Sequence, residues 1–538
     1  VSENVESHLS RARNLIHAGD VAGAKALLEK YVQTAQSDGV AQSLYAFSLM
    51  QTGDLTAAIA TFQAAIRLGC DDAPTHLQLA MALKFRGRCI DALRHFDRAC
   101  KLDPDDARAK WAATIATLRM VYSNSSEVAS ALKEFDLRLE QMVRWFDARS
   151  EPISDGVVAE PNPFHIAYVE DDLVPQLSRY GALCARLMAS WDSKRTKPPA
   201  PALVDSRVRI GIVSRYFYRH SVWSAIIKGM IRTIDRNRFR LALFHVGARI
   251  DDQTKFARSI ADSYLSGLEE TGPAVDAIRR VAPDILIYPE IGMDPLSTRL
   301  AALRLAPVQM ASWGHPVTTG LPTLDYFLSA KAFEPSNAHL HYTEQLVALP
   351  DLGAQVEREP ADPSQVDLAT IGLDPTRVLF VCPGVPWKYT PEFDDALCAI
   401  ACAVPSAQFL FFQPPVQLAA ATQLHARITQ RFRTAGIEPA GRFVFGPWLS
   451  RPDFLGVVSR AAACLDGFGF SGFNTALQCL QAGTPMVTLP GRFMRGRLAS
   501  GILTHVGLRE FIAKDVREFA AIAAMCASRP DAVGGQRA

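Results

Sequence analysis

The stretch DGFGFSGFNTALQCLQAGTPMVTLPG, residues 466–491, begins at the end of one apolar run, AAACLD, and closes on another, PMVTLPG. Between the runs stand three glycines (467, 469 and 472), then Asn474-Thr475 with good helix formers behind them. An apolar run, a glycine loop, a helix and a second apolar run make a strand–helix–strand unit with parallel strands. The glycines let the backbone come close to whatever packs there. The first N–H groups of a helix have no partner inside it, and the helix dipole favours negative charge at that end. Two readings therefore stand for 466–475: a tightly packed turn, or a cradle for an anion.

Working outward, the same rhythm repeats. VRIGIVS (208–214), FRLALFHVG (239–247), the end of DAIRRVAPDILIYPE (276–290) and RLAPVQMASWG (304–314) read as buried strands. After IGLDPTR the pattern restarts with VLFVCPG (378–384), AQFLFFQPP (407–415), RFVFGPW (442–448), AAACLDG (461–467) and PMVTLPG (485–491). Helical stretches fall between them, so two parallel-sheet halves are expected, with a cleft between. The proline-rich KRTKPPAPALVDS (194–206) marks a boundary ahead of the first half. The expected organisation is a repeat region over 1–120, a helical connector and linker over 121–200, and halves over 201–372 and 373–538.

The length of 538 residues asks for several domains. A net charge of +2 argues against nucleic-acid or membrane-surface partners, which call for a strong basic excess. No apolar stretch reaches the length of a membrane span. The polar start, VSENVESHLSRARNLIHAGD, has no signal-peptide core, and the ten cysteines include no C-x-x-C pair. A cytoplasmic, reducing location is expected, with the cysteines as small buried hydrophobes.

A 34-residue period runs through the first hundred residues. Gly19, Gly53 and Gly87 share it, as do Ala12, Ala46 and Ala80; Ala24, Ala58 and Ala92; and Leu28, Phe62 and Phe96. Small residues recur where paired helices touch, glycine at the turn, and a large apolar residue between hairpins. This resembles the tetratricopeptide repeat, which stacks into an all-α superhelix with a groove suited to extended peptides. Dimerisation, or capping of the next domain, is the plainer use of such repeats.

The loops after the strands hold the unusual residues. SRYFYRHSVWS (214–224) carries His220, a base or donor near neutral pH, or simply the cap of the helix that follows. ASWGHPVTTG (311–320) sets His315, Pro316, Thr318 and Thr319 among glycines, facing a ligand or building a plain turn. PGVPWKYTPEF (383–393) puts Lys388 just past a strand, with Thr390 as a cap and Pro391 at the helix start. That lysine meets a phosphate or only solvent. There is no G-x-x-x-x-G-K-[ST] loop and no well-placed G-x-G-x-x-G, which argues against nucleotide hydrolysis and hydride transfer. A diphosphate held by Lys388 and the helix start at 472–475, without a metal, suggests a nucleotide-sugar.

Taken together, LRLAPVQMASWGHPVTTGLPTLDYFLS, HYTEQLVALP and CLDGFGFSGFNTALQCLQAGTPMVTLPG closely resemble the O-GlcNAc transferase family, glycosyltransferase family 41, in its bacterial tetratricopeptide-fused branch. YPEIGM, LRLAPVQ and GHPVTT are also similar to the bacterial adhesin N-glycosyltransferases of that family. The resemblance covers about residues 160–515. It implies a GT-B fold, two Rossmann-like α/β domains facing a cleft, behind the repeats. It further implies an inverting protein glycosyltransferase that takes a UDP-sugar as co-substrate and needs no metal or other cofactor. By resemblance His220 falls on the active-site histidine, Lys388 on the lysine at the donor diphosphate, and Gly472, Phe473, Asn474 and Thr475 on its cradle. His315, Pro316, Thr318 and Thr319 would line the acceptor side of the cleft. Gln478 stands where animal members have a ribose-binding aspartate; Phe454 replaces a histidine near the uracil, and Arg451 replaces a lysine. The acceptor would be a protein or peptide in the repeat groove, with no nucleic acid, no membrane span, and a homodimer as an option. Two alternatives remain. One is a tetratricopeptide scaffold with a degenerate transferase half, which Gln478 and the short tail ASRPDAVGGQRA favour. The other is a flagellin or adhesin glycosyltransferase using a different donor sugar.

Overall fold

The computed structural model describes residues 2–149, 154–198, 206–357, 362–414 and 418–528. The middle of the proline-rich linker (199–205), the start of the EPISDG break (150–153) and the tail beyond 528 lie outside the described residues. The chain divides into two compact units, one up to Arg119 with 416–420, the other Met120–Pro415 and Ala421 onward.

The first unit is built of helix pairs: α1 (Ser2–His17) with α2 (Val21–Thr34), α3 (Gly39–Gln51) with α4 (Leu55–Arg67), and α5 (Ala73–Phe85) with α6 (Cys89–Leu102), followed by α7 (Ala107–Ile115). Each 34-residue column has a structural cause. Gly19, Gly53 and Gly87 take left-handed backbone at φ 80°, 91° and 72°, which turns one helix into the next. The three alanine pairs and Leu28, Phe62 and Phe96 have no exposed surface. Asp20, Asp38, Asp54 and Asp72 cap the next four helices by accepting from the N–H three residues on. Arg88 breaks that column and makes no capping bond.

The second unit opens with α8 (Ser125–Asp147) and α9 (Val174–Ser193), so the helical connector belongs to the same unit as both sheets. The first sheet contains β1 (Val208–Ser214), β2 (Phe239–His245), β3 (Ser263–Leu265), β4 (Ile285–Tyr288), β5 (Val308–Ser312), β6 (Tyr326–Ala330) and β7 (Gln345–Leu349). Their spatial order is β3-β2-β1-β4-β5-β6-β7, and every pairing is parallel. The second sheet has β8 (Val378–Val381), β9 (Ala407–Phe412), β10 (Phe443–Gly446), β11 (Ala463–Leu465) and β12 (Met486–Val487), in the parallel order β10-β9-β8-β11-β12. The runs are apolar throughout because helices cover both faces, as all-parallel sheets require. All six residues of β9, for instance, are buried. This is the GT-B architecture behind helical repeats.

Each sheet reverses direction once. In the first, the chain goes from β1 outward to β2 and β3, then returns to lay β4 on the other side of β1. In the second, it goes from β8 to β9 and β10, then returns to lay β11 beside β8. Loops leaving neighbouring strands on opposite sides of the sheet part at such a point, and the crevice between them is where open parallel sheets bind ligands.

Candidate active site at the two switch points

The loops after β8 and β11 meet at the second switch point. The first carries Lys388, which ends a short 3-10 turn, Pro386–Lys388. Its ammonium lies 4.6 Å from the centre of the Phe470 ring. Its carbonyl oxygen would be 2.7 Å from a Cβ placed on Gly467, so only glycine allows the two loops to touch there. Lys388 is half-buried, and burial pushes its ammonium down to about 8, against the pull of Asp466. It therefore keeps its charge at neutral pH. Thr390 occupies the cap position of the helix Pro391–Ala403 but forms no capping bond through its side chain. Pro391, with no N–H to satisfy, removes part of the need.

The second loop is folded around Asp466. This carboxylate is 4% exposed. It accepts hydrogen bonds from Ser471 Oγ at 2.5 Å, Thr488 Oγ1 at 2.8 Å and the Gly472 N–H at 3.0 Å. The Gly472 amide, expected to face the anion, is thus already taken by a carboxylate. The helix that follows runs Phe473–Gln481, one residue earlier than Asn474 suggests, with Gly472 as an N-cap that offers no side chain. A Cβ on Gly472 would meet Thr475 Oγ1 at 1.9 Å, so glycine lets that hydroxyl fold back over the helix start. Phe473 turns away from the cradle: it is buried, with ring centres 4.9 Å from Trp313 and 5.9 Å from Phe333 of the first half.

A cleft of 1040 Å³ opens beside this helix. Asn474, Thr475 and Gln478 line it, with Arg451 and Phe454 from the helix Arg451–Val458 and His220 from the first half. Arg451 donates to Gln481 Oε1 at 2.8 Å. Trp448 lies along the same lining; the run RFVFGPW places it in a buried strand, but β10 ends at Gly446 and Trp448 is 57% exposed in the irregular segment after it. At the helix start Asn474 and Thr475 supply the lining, and Lys388, Gly472 and Phe473 do not belong to it.

His220 follows β1, at the first switch point. Its ring stacks on Tyr216, 4.1 Å between centres, and Nδ1 accepts the Val222 N–H at 3.2 Å. The helical stretch behind it opens into a π turn over Trp223–Ile227, a feature often found at functional sites. Burial and then Arg249 pull the His220 imidazole down to about 4. The ring is neutral at pH 7, and with Nδ1 accepting, its proton sits on Nε2. His220 thus presents an N–H donor, not a free lone pair. On β4's side of the same switch point, burial pushes the Glu290 carboxyl up to about 8; Oε1 accepts the Arg215 N–H at 3.0 Å and Oε2 has no hydrogen-bond partner.

The remaining sequence candidates are not brought to the cleft lining. His315 is buried, its Nε2–H donating to Phe164 O at 3.1 Å and its ring stacked on Phe164. Pro316 is buried beside it. Thr318 Oγ1 and the Thr319 N–H donate to Glu344 at 2.7 and 2.8 Å, and the Thr319 hydroxyl donates to the same carboxylate. Among the described residues no group of three or more His, Cys, Asp or Glu side chains is placed to hold a metal ion. No helix among them is long and apolar enough to cross a membrane.

Comparison with known proteins agrees with this fold. The chain is similar to a Petunia hybrida protein named probable UDP-N-acetylglucosamine–peptide N-acetylglucosaminyltransferase SPINDLY, 28% identical over 63% of this chain and 36% of that one. It is similar to the Arabidopsis thaliana protein of the same activity name designated SEC, 26% identical over 66% of this chain and 37% of that one. The chain thus spans about a third of the length of the curated relatives it matches. Among solved structures, an O-GlcNAc transferase mutant from Thermobaculum terrenum aligns over 100% of this chain and 92% of its own, with a TM-score of 0.68 at 22% identity. That likeness shows the fold. The sequence pattern described as glycosyl transferase family 41 matches residues 176–352 and 372–534, which include both switch points. The chain belongs to glycosyl transferase family 41.

Proposed function

We propose that this protein is an inverting, metal-independent glycosyltransferase that moves GlcNAc or another hexose from a UDP-sugar to a side chain of an acceptor protein recruited by the repeats. The observation that carries the reading is the second switch point, where a half-buried lysine packs on a glycine loop whose helix start lines a cleft large enough for a nucleotide-sugar. The names of the curated relatives support the donor class.

In the reaction, an acceptor oxygen or nitrogen attacks the anomeric carbon in line as the bond to the diphosphate oxygen breaks. The electron pair leaves with the diphosphate. Lys388 and the free N–H groups at the start of Phe473–Gln481 stabilise the charge that develops there. No divalent ion or cofactor takes part. Arg451, Phe454 and Gln478 contact the nucleoside portion, Phe454 offering a ring face and the other two hydrogen bonds. His220, neutral with its proton on Nε2, donates to the acceptor or the sugar. The acceptor's proton goes to another base, since a group near 4 is a weak acceptor of protons at neutral pH. His315, Pro316, Thr318 and Thr319, buried and outside the cleft lining, support the acceptor side indirectly.

The test is Lys388→Ala. Transfer, read by mass spectrometry of proteins co-expressed with the enzyme, is expected to fall about 10²–10³-fold while the thermal midpoint holds. Near-normal transfer would sink the assignment. Wild-type protein that is stabilised by UDP-sugars yet transfers nothing would instead identify a binding scaffold.

A further inference from the structure

A buried carboxylate beside a site for a diphosphate appears misplaced, since both are anions. Asp466 resolves this through where its oxygens are spent. Three donors point at it: two hydroxyls and the N–H of the loop's last residue. It closes residues 466–472 on themselves. Ser471 passes the tie onward, its Oγ accepting the Ala499 N–H at 2.8 Å, while the Ser471 N–H donates to Arg495 O at 2.7 Å. Thr488 carries the other branch to the end of β12, and the Asp466 N–H donates to Val487 O at 3.0 Å. One side chain therefore joins β11, β12, the glycine loop and the helix Leu498–His505.

Taking the transferase reading as its basis, we propose that Asp466 is a positioning residue: its three hydrogen bonds set the loop that presents the helix start to the donor diphosphate. On the neighbouring loop the Lys388 ammonium lies over the Phe470 ring, and the Asp466 carboxylate favours its charged form. The other titratable groups that feel the carboxylate are Tyr389 and Cys479, both neutral at physiological pH. Burial pushes the Asp466 carboxyl up, and its three donors and Lys388 draw it back. On the lysine side burial alone lowers the ammonium and Asp466 opposes the fall. Removing the negative charge should therefore lower the lysine further.

The experiment uses the full chain without substrate. Lys388 acylation by acetic anhydride is followed across pH 6–10 by mass spectrometry, in parallel with UDP binding by calorimetry. Wild type should titrate near 8. Asp466→Asn, nearly isosteric, should bring the midpoint down by about one unit, roughly tenfold more neutral amine at a given pH, and weaken UDP about tenfold. A folded Asp466→Asn protein with unchanged midpoint and affinity overturns the proposal. Should that variant fail to fold, Ser471→Ala keeps the carboxylate and cuts the two ties made by that hydroxyl, to Asp466 and to the Ala499 N–H. It should weaken UDP while the lysine midpoint holds, and unchanged affinity counts against the positioning role. Wild-type protein that does not bind UDP overturns the transferase reading instead, and the labelling midpoints still show whether Asp466 acts on Lys388.

Discussion

Two loops of this molecule look alike in sequence and end differently. GHPVTTG (314–320) follows β5, and DGFGFSGFNT (466–475) follows β11; both mix glycine with hydroxyl side chains, and both fold around a buried carboxylate. In the first, Glu344, just ahead of β7, takes both threonine hydroxyls and the Thr319 N–H. His315 is spent on Phe164 O, and a Cβ on Gly320 would meet Leu177 O of α9 at 1.9 Å. The segment is sealed against α9 and the residues before it. In the second, Asp466 consumes Ser471 and Gly472, but the chain then enters a helix whose first turn has no side-chain cap. The first loop also lies one strand beyond the switch point, whereas the second lies on it. Glycines and hydroxyls alone do not make an anion site; in the transferase reading proposed above, the helix start at the sheet reversal does.

The sharpest way to break this comparison is Glu344→Ala. It strands the Thr319 hydroxyl and N–H in a buried place and leaves the Thr318 hydroxyl only its contact with Thr343 Oγ1, and each unsatisfied group costs on the order of 1–3 kcal/mol. Partial relaxation and water entry leave an expected loss of about 3 kcal/mol in urea unfolding. UDP affinity of the folded fraction should not change. A large fall in affinity without a fall in stability would place the first loop at the donor after all.

A smaller effect is expected from Thr475→Val, which keeps the shape and removes one hydroxyl at the cleft. UDP should bind about tenfold more weakly, near 1.4 kcal/mol, with stability within about 0.5 kcal/mol of wild type. Equal loss in both quantities would make Thr475 a structural residue like Thr318.

These outcomes also bear on what the sequence carries. The repeat columns are legible because each residue in them answers a local need: a left-handed turn, a helix contact, a gap to fill. The strands that alternate with helices are legible for the same reason. β6 and β7 are not, since Tyr326–Ala330 and Gln345–Leu349 are joined without an α-helix between them and so lack the strand–helix rhythm. β3 is only three residues long. Lys388, His220 and the helix start at 473–475 stand in loops after strands, where a ligand rule points to them directly. The duties of Glu344 and Asp466 are hidden. Thr319 lies 25 residues before Glu344, and Thr488 lies 22 after Asp466. Which hydroxyl meets which carboxylate is set by burial in the sheet, not by spacing. Phe473 is hidden too, because its partners Trp313 and Phe333 belong to the other half.

The last test concerns His220 and the opposite wall of the cleft. In the unfolded chain its imidazole titrates near the ordinary 6.5; folded, burial holds it near 4. Above 6.5 both forms are neutral and pH makes no difference through this group. Between 6.5 and 4 the unfolded chain takes up a proton that the folded one refuses, so stability falls as pH falls through that window. Below 4 both are protonated and the loss is complete. His315, also held near 4 by burial, contributes a parallel loss. Urea unfolding of wild type and His220→Gln at pH 7, 5.5 and 4.5 should therefore give a shallower decline for the variant, though not a flat one. A decline of equal slope would mean that the ring is already protonated in the folded protein. The Nε2 proton would then no longer be fixed by the Val222 bond, and Nδ1 would have to let go of that N–H.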